Sequence, residues 1–188
     1  MKMILRSSHA FVQPLFIAVA AVSVLLTVLT PLPAAAHEAR QSSENQFCVM
    51  VVGKPADSTS PSPELYHYCS TKSIDDARAH LASPTARAEL GRTVAASDLL
   101  MTWFTDRDYG GGQTDIFGYE GTCDTAGYRL APNSYWRVRI SSAAGFAQCN
   151  YADFVNIAKN YADGFGLPIN YIGNTLNDNV GTIQVYHA

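Results

Sequence analysis

Asp106 and Asp108 stand two apart in FTDRDYGG, Phe104 to Gly111, with Gly111 at the sixth position counted from Asp106. Alternating carboxylates ahead of a glycine are how an EF-hand loop opens, because calcium gathers six to eight oxygens from a sharply bent chain. The twelfth position, where a bidentate glutamate must close the shell, is Phe117, which excludes an EF-hand. The two aspartates read instead as turn residues before glycine. Other reactive groups form no local signature. There is no G-x-S-x-G and no H-E-x-x-H; a triad assembled in space would leave no such trace. His67 lies between two tyrosines as a half-buried strand residue would. His80 falls on a helix surface and His187 near the chain end. No enzyme and no required cofactor are expected.

The four cysteines, Cys48, Cys69, Cys123 and Cys149, carry the firmest chemistry. They contain no C-x-x-C, and no histidine pair stands at ligand spacing, so a zinc site has little support. An even number in an exported chain reads as two disulfides. Three pairings exist. Cys48–Cys69 and Cys123–Cys149 are favoured because each closes a modest loop, and each would add about 2–4 kcal/mol. Export itself follows from the first residues. Lys2 and Arg6 precede the apolar run Leu15 to Thr30, and small residues Ala34 to Ala36 end the segment. That is the order of a signal peptide over 1–36, and the run is shorter than the roughly 20 residues a membrane-spanning helix needs. Removing Lys2 and Arg6 from 13 basic residues leaves 11 against 16 acids, a net charge of −5. Nucleic acid and anionic membrane need a basic face and are not expected partners. The chain is expected to be secreted, extracellular and monomeric.

These residues need elements to position them. FCVMVVG, Phe47 to Gly53, is an apolar β-branched run and predicts a buried strand. Lys54 to Glu64, rich in proline and serine, is a loop, and LYHYCS predicts a strand returning beside the first. Ser73 caps a helix with Asp76 three residues on, and Pro84 breaks that helix or starts a second one from Ser83. Beyond Leu99 the pattern turns to aromatics, glycines and short runs. LLMTWFT, DIFGYEG and the chain's last residues predict strands. YWRVRISS, with Trp136, Val138 and Ile140 inward, predicts another by its period of two. A division near Arg92–Asp98 follows: a disulfide-linked α+β segment over 37–97 and a β domain over 98–188.

Phe104, four residues, Tyr109, one residue and Gly111 resemble the folded hairpin of the βγ-crystallin Greek-key motif, and ISS follows some distance on. The two rings can pack across the hairpin, and Gly111 can take a backbone angle that a Cβ resists. A second motif runs from Cys149 to Tyr186, with Tyr161 and Gly164 in the matching places at a spacing one longer, and ends in LNDNVGTI. The resemblance covers Leu99 to Ala188. It implies a mainly β fold, two Greek-key motifs in one βγ-crystallin-like sandwich, preceded by the α+β segment. That segment looks similar to the N-terminal part of secreted bacterial proteins, some of them small peptidase inhibitors.

The family often binds calcium between loops patterned Asn/Asp-Asn/Asp-x-x-Ser/Thr-Ser. The second loop here matches at Asn177 and Asp178 and has Gly181 in place of a hydroxyl. The first keeps Ser141 and Ser142 but has Arg137 and Val138 where the acidic pair belongs. The resemblance thus implies one composite calcium site on Asp178, Asn177 and Ser141, at the weak end of calcium affinity, with Arg137 and Arg139 opposing the ion. The plainer alternative is that Ser141, Ser142 and Thr182 hydrogen-bond their own turns. The function expected is a non-enzymatic extracellular binding protein. The alternative is a proteinaceous inhibitor of a secreted metalloprotease, presenting the loop Gly118 to Ala131 anchored at Cys123.

Overall fold

The computed structural model describes residues 45–91 and 98–188, so the expected signal segment lies outside the described residues. Among the described residues nine strands form two sheets. The first holds five: β1 (Phe47–Val52), β2 (Glu64–Ser70), β3 (Asp98–Phe104), β4 (Gln113–Gly118) and β6 (Ser142–Gly145), in the order β2-β1-β4-β3-β6. The second holds four: β5 (Tyr128–Leu130), β7 (Tyr151–Asn156), β8 (Ala162–Gly166) and β9 (Val180–Tyr186), in the order β5-β9-β7-β8. Two short helices, α1 (Ile74–Leu81) and α2 (Pro84–Leu90), join β2 to β3.

The composition of β1 explains its place. Cys48, Met50 and Val52 face the core shared by both sheets, while Val49 and Val51 face a second cluster with Tyr66, Ala77, Leu81, Ala86 and Leu90. A strand buried on both faces must be apolar throughout, which is what FCVMVV is. Beside it, β2 pairs antiparallel with Cys48 directly opposite Cys69, and the disulfide Cys48–Cys69 closes that hairpin. The second disulfide is Cys123–Cys149. Both favoured pairings are therefore present.

On its other side β1 pairs parallel with β4 over its whole length. The composition change near Arg92–Asp98 marks a passage from helix to strand, and the sheet runs straight across it. The segment expected to precede the β domain supplies two strands of its first sheet. Sequence pattern shows local change well; parallel pairing between distant strands leaves no local mark.

The helices form as their caps dictate. The Ser73 hydroxyl accepts from Asp76 N at 3.1 Å, and Ser83 accepts from Ala86 N at 3.3 Å with Pro84 in the first helical turn. Ala77 and Leu81 of α1, and Ala86 and Leu90 of α2, are buried against the outer face of the five-stranded sheet. One ion pair pins α1 there. Arg78 donates from Nε to Asp115 Oδ2 at 2.7 Å and brings Nη2 to the same oxygen at 2.7 Å; Asp115, in β4, is fully buried. Thr102 Oγ1 and Gln113 Nε2 donate to its other oxygen. Removing the arginine would leave a buried carboxylate short of its charge partner, which is costlier than losing a surface pair. Arg78→Ala is therefore expected to lower stability by about 3 kcal/mol, read from urea unfolding with an unchanged slope. A loss below about 0.5 kcal/mol, the range of ordinary surface substitutions, would contradict the pinning role.

Candidate functional site

Two turns, over residues 133–140 and 173–180, meet each other. In the first, Asn133 Oδ1 accepts from Tyr135 N at 3.0 Å and Trp136 N at 3.2 Å, as a helix N-cap does. Arg137 N then donates to Asn133 O and Ile140 N to Trp136 O, a single helical turn. Residues four apart share a face in such a turn. Trp136 and Ile140 are both buried, and Val138 between them is 45% exposed. The expected strand over Tyr135–Ser142 is thus corrected: inward residues at i and i+4 satisfy a period of two at their ends, and only the middle residue separates the readings. The second turn repeats this geometry. Asn177 N donates to Gly173 O at 2.9 Å, and Leu176 and Val180, again four apart, are buried.

The turns are tied to each other through the backbone. Val180 N donates to Arg137 O at 2.8 Å, Asp178 N to Ile140 O at 3.1 Å and Ile172 N to Ser141 O at 3.0 Å. Behind them lies the β3–β4 hairpin. Ser141 Oγ donates to Thr105 O at 2.6 Å and Ser142 Oγ to Asp106 O at 2.7 Å, and Ser142 Oγ accepts from Tyr109 N at 3.1 Å. The serines therefore hold this distant hairpin and not their own turn. Inside the hairpin the Phe104 and Tyr109 rings meet edge to face at 5.7 Å, and Gly111 has φ +77°. The second hairpin departs from this plan. Asn156 Oδ1 accepts from Asn160 N and Tyr161 N, doing with one amide what the aromatic pair does in the first. Tyr161 is 41% exposed, and Gly164 lies within β8 at a φ outside the left-handed region.

A pocket of about 340 Å³ opens at this junction, lined by Asn45, Thr105, Asp106, Tyr135, Arg139 and Asp178 with Val138. Asp178 stands at its rim with its carboxylate accepting from Asn177 Nδ2 at 2.8 Å. Loss of solvent raises its pKa above the ordinary carboxylate value; the Asn177 hydrogen bond and the Arg139 charge work against that, and the Asp106 charge adds to it. Arg139 itself is turned onto Tyr135, donating to its carbonyl at 2.9 Å with the guanidinium 4.1 Å over its ring. Of the residues expected at a composite site, Asp178 lines the pocket and Asn177 braces it. Ser141 sits one layer behind, 4% exposed, its hydroxyl given to Thr105 O. The carboxylate that faces Asp178 is Asp106, which sequence reasoning treated only as a turn residue. Its position one residue past a Ser-bound carbonyl was the available signal, legible only once the two loops are known to touch.

Elsewhere the reactive groups are spoken for. His80 Nδ1 bonds the Tyr66 hydroxyl at 2.7 Å and its ring stacks on Tyr68 at 3.6 Å. Among the described residues one grouping of metal-ligating types occurs, Cys48, His67 and Cys69, and its sulfurs are bonded to each other. No protein-family model, no curated protein and no solved structure matches the chain.

The hairpin that presents Asp106 depends on Gly111. A Cβ there would press on Thr105 Oγ1 and lie 2.8 Å from Asp106 Cγ, whereas at Gly173, φ +83°, it would meet open space. Gly173→Ala carries only the left-handed backbone cost of about 1–2 kcal/mol. Gly111→Ala adds the clash and is expected to cost clearly more, about 3 kcal/mol or above. Equal losses in urea unfolding would show that the hairpin gives way freely.

Proposed function

We propose that the chain is a secreted, non-enzymatic binding protein with two Greek-key motifs in a βγ-crystallin-like arrangement, and that the junction pocket takes calcium weakly. The observation that carries the reading is the convergence of Asp106 from one repeat and Asp178 from the other on one pocket. Two carboxylates are hard-cation donors, and Arg139 beside them keeps affinity in the 10⁻⁴–10⁻³ M range, about that of weak extracellular sites. The Greek-key reading is supported by an exchange between the sheets. β5 leaves the sheet of β3, β4 and β6 to pair with β9, and Ile169 of the second repeat pairs with Ala143 of β6. Export is supported by the two disulfides, which persist in oxidising compartments. The structural engagement of His67 and His80 supports the non-enzymatic reading.

Thermal unfolding of the full chain in calcium against EDTA tests this. At about ten times the dissociation constant, binding adds roughly 1.4 kcal/mol, a midpoint rise of about 3–6 °C. Asp178→Ala and Asp106→Ala should each abolish the rise. Because loss of solvent makes Asp178 harder to ionise than an ordinary carboxyl, the calcium effect should fade at higher pH than it would for an unperturbed aspartate. The same raised pKa means that its own ionisation disfavours the folded state as pH rises through it. No rise in calcium, or a rise that survives both substitutions, would refute the site.

A second reading is favoured by the loop between β4 and β5. Thr122 and Asp124 to Ala126 are exposed, while Cys123 is buried in its disulfide. Lys54 Nζ binds Asp124 Oδ1 at 2.8 Å, His187 N donates to Asp124 O, and Tyr128 OH donates to Gly121 O. A loop so fixed loses little entropy on binding, the property a protease inhibitor exploits. Titrated against thermolysin, the full chain should then inhibit in a 1:1 ratio. Full protease activity at about tenfold molar excess, where even micromolar affinity would register, would dismiss this reading.

A further inference from the structure

The two sheets differ on their outer faces. Helices α1 and α2 cover the five-stranded sheet, whereas the four-stranded sheet carries no helix on its outer face among the described residues. Across that face runs one row of directly opposed residues: Arg129 in β5, Gln184 in β9, Asp153 in β7 and Gly164 in β8. Two hollows of about 430 and 440 Å³ flank the row and share Arg129 and Gln184. One is walled by the loop carrying Lys54 and Ser58 and by Thr125; the other is bordered by Asp153, Asp163 and Gly164.

The polar atoms at the shared centre are held in place and left unused. Arg129 Nη2 is fixed on Ser58 O at 2.7 Å, and Gln184 Nε2 is fixed on Ala126 O at 2.5 Å. Yet Arg129 Nε and Gln184 Oε1 are buried with no hydrogen-bond partner among the described residues. A buried donor and a buried acceptor without partners are each costly. Charge narrows the choice. An anion would face Asp153, Asp163 and Asp57; a cation would face Arg129 and Lys54; an apolar group would meet a lining of charged and amide side chains. A neutral hydroxyl both accepts and donates, so successive hydroxyls suit a lining that mixes Arg129, Gln184 and Asp153. On the same face the Tyr151 and Tyr186 rings lie 5.5 Å apart, Tyr186 bonded to Asp153, and offer planar surface for the apolar side of a sugar ring.

We propose that the outer face of the four-stranded sheet, centred on Arg129, Gln184 and Asp153, binds a neutral oligosaccharide. The site shares no residue with the calcium pocket and stands whether or not that pocket is occupied. The two hollows take successive sugar units, with the Arg129–Gln184 pair reading the hydroxyls between them.

The test is a ¹⁵N-resolved NMR titration of the full chain with cellotetraose, chitotetraose and maltotetraose, each to about 10 mM, enough to reveal millimolar affinity. At least one should give saturable shifts centred on the amides of Arg129, Gly164 and Gln184. Gln184→Ala should weaken that binding at least about tenfold. Because Gln184 also steadies the 124–127 loop, Asp153→Ala serves as the second variant and should weaken binding while leaving the amides of that loop unmoved. Absence of saturable shifts with all three sugars overturns the proposal, as does binding unchanged in both variants. Inorganic phosphate moving the same amides at lower concentration than any sugar would show an anion site instead and overturn it equally.

Discussion

Ala143 N donates to Ile169 O at 3.0 Å and Ile169 N to Ala143 O at 2.8 Å, and this short bridge joins the segment between β8 and β9 to the five-stranded sheet. β5 makes the reverse journey and pairs with β9 through Tyr128, Arg129 and Leu130. An edge of each sheet is therefore completed by backbone whose sequence neighbours lie in the other sheet. Unpaired buried backbone is expensive, so the exchange obliges the two sheets to fold as one. Trp103, Trp136, Tyr128, Phe154 and Ile183 then pack into one core drawn from both sheets. The turns at 133–140 and 173–180 are a consequence. Each must return the chain from one sheet to the other within a few residues, and each uses one helical turn whose two inward residues help close an end of the core.

That constraint also places the pocket. Because the turns bond each other through Arg137, Ile140, Asp178 and Val180, whatever lies at their seam faces the β3–β4 hairpin, which Ser141 and Ser142 hold by its carbonyls. Asp108 N and Asn170 O, at 3.0 Å, and the Arg107 guanidinium over the Tyr171 ring, at 3.6 Å, fasten the hairpin to the segment after β8 as well. Asp106 and Asp178 are neighbours because of these contacts and not because of any attraction; like charges at a shared pocket are held together by the frame around them. Loss of solvent is what disfavours the Asp178 charge, and the Arg139 guanidinium beside it offsets the nearby Asp106.

What could be read in advance was whatever depends on neighbours in sequence. The Ser73 and Ser83 caps, the Pro84 start, the hairpin around Gly111, the buried run of β1 and both disulfides are local or nearly so. Misread were the features that depend on distant partners. Trp136, Val138 and Ile140 fit a strand and a helical turn alike, and Asn133, whose amide oxygen caps two N–H groups, was the one residue that favours the turn. Phe104 with Tyr109 led to an aromatic counterpart at Tyr161, but position 156 holds asparagine, and an amide network replaces the ring contact. The parallel pairing of β1 with β4 and the meeting of Asp106 with Asp178 arise from topology alone.

The two outer faces show how a sheet's surroundings are written into its strands. β1 is apolar at every position because the helices seal one face and the shared core the other. β7 and β9 alternate instead: Ala152, Phe154 and Asn156, and Val180, Ile183 and Val185, are buried, while Tyr151, Asp153, Thr182, Gln184 and Tyr186 remain partly open. Simple solvation of that open face asks only for polar side chains free to turn toward water. It does not ask that Arg129 and Gln184 be anchored at one end and left buried and unpaired at the other. A surface side chain with nothing to bind keeps its rotamers, since fixing them costs entropy without return. Two neighbouring side chains fixed in this way, between two hollows on a sheet face that no helix covers among the described residues, are arranged as a binding surface is arranged, with their side chains preset before any ligand arrives.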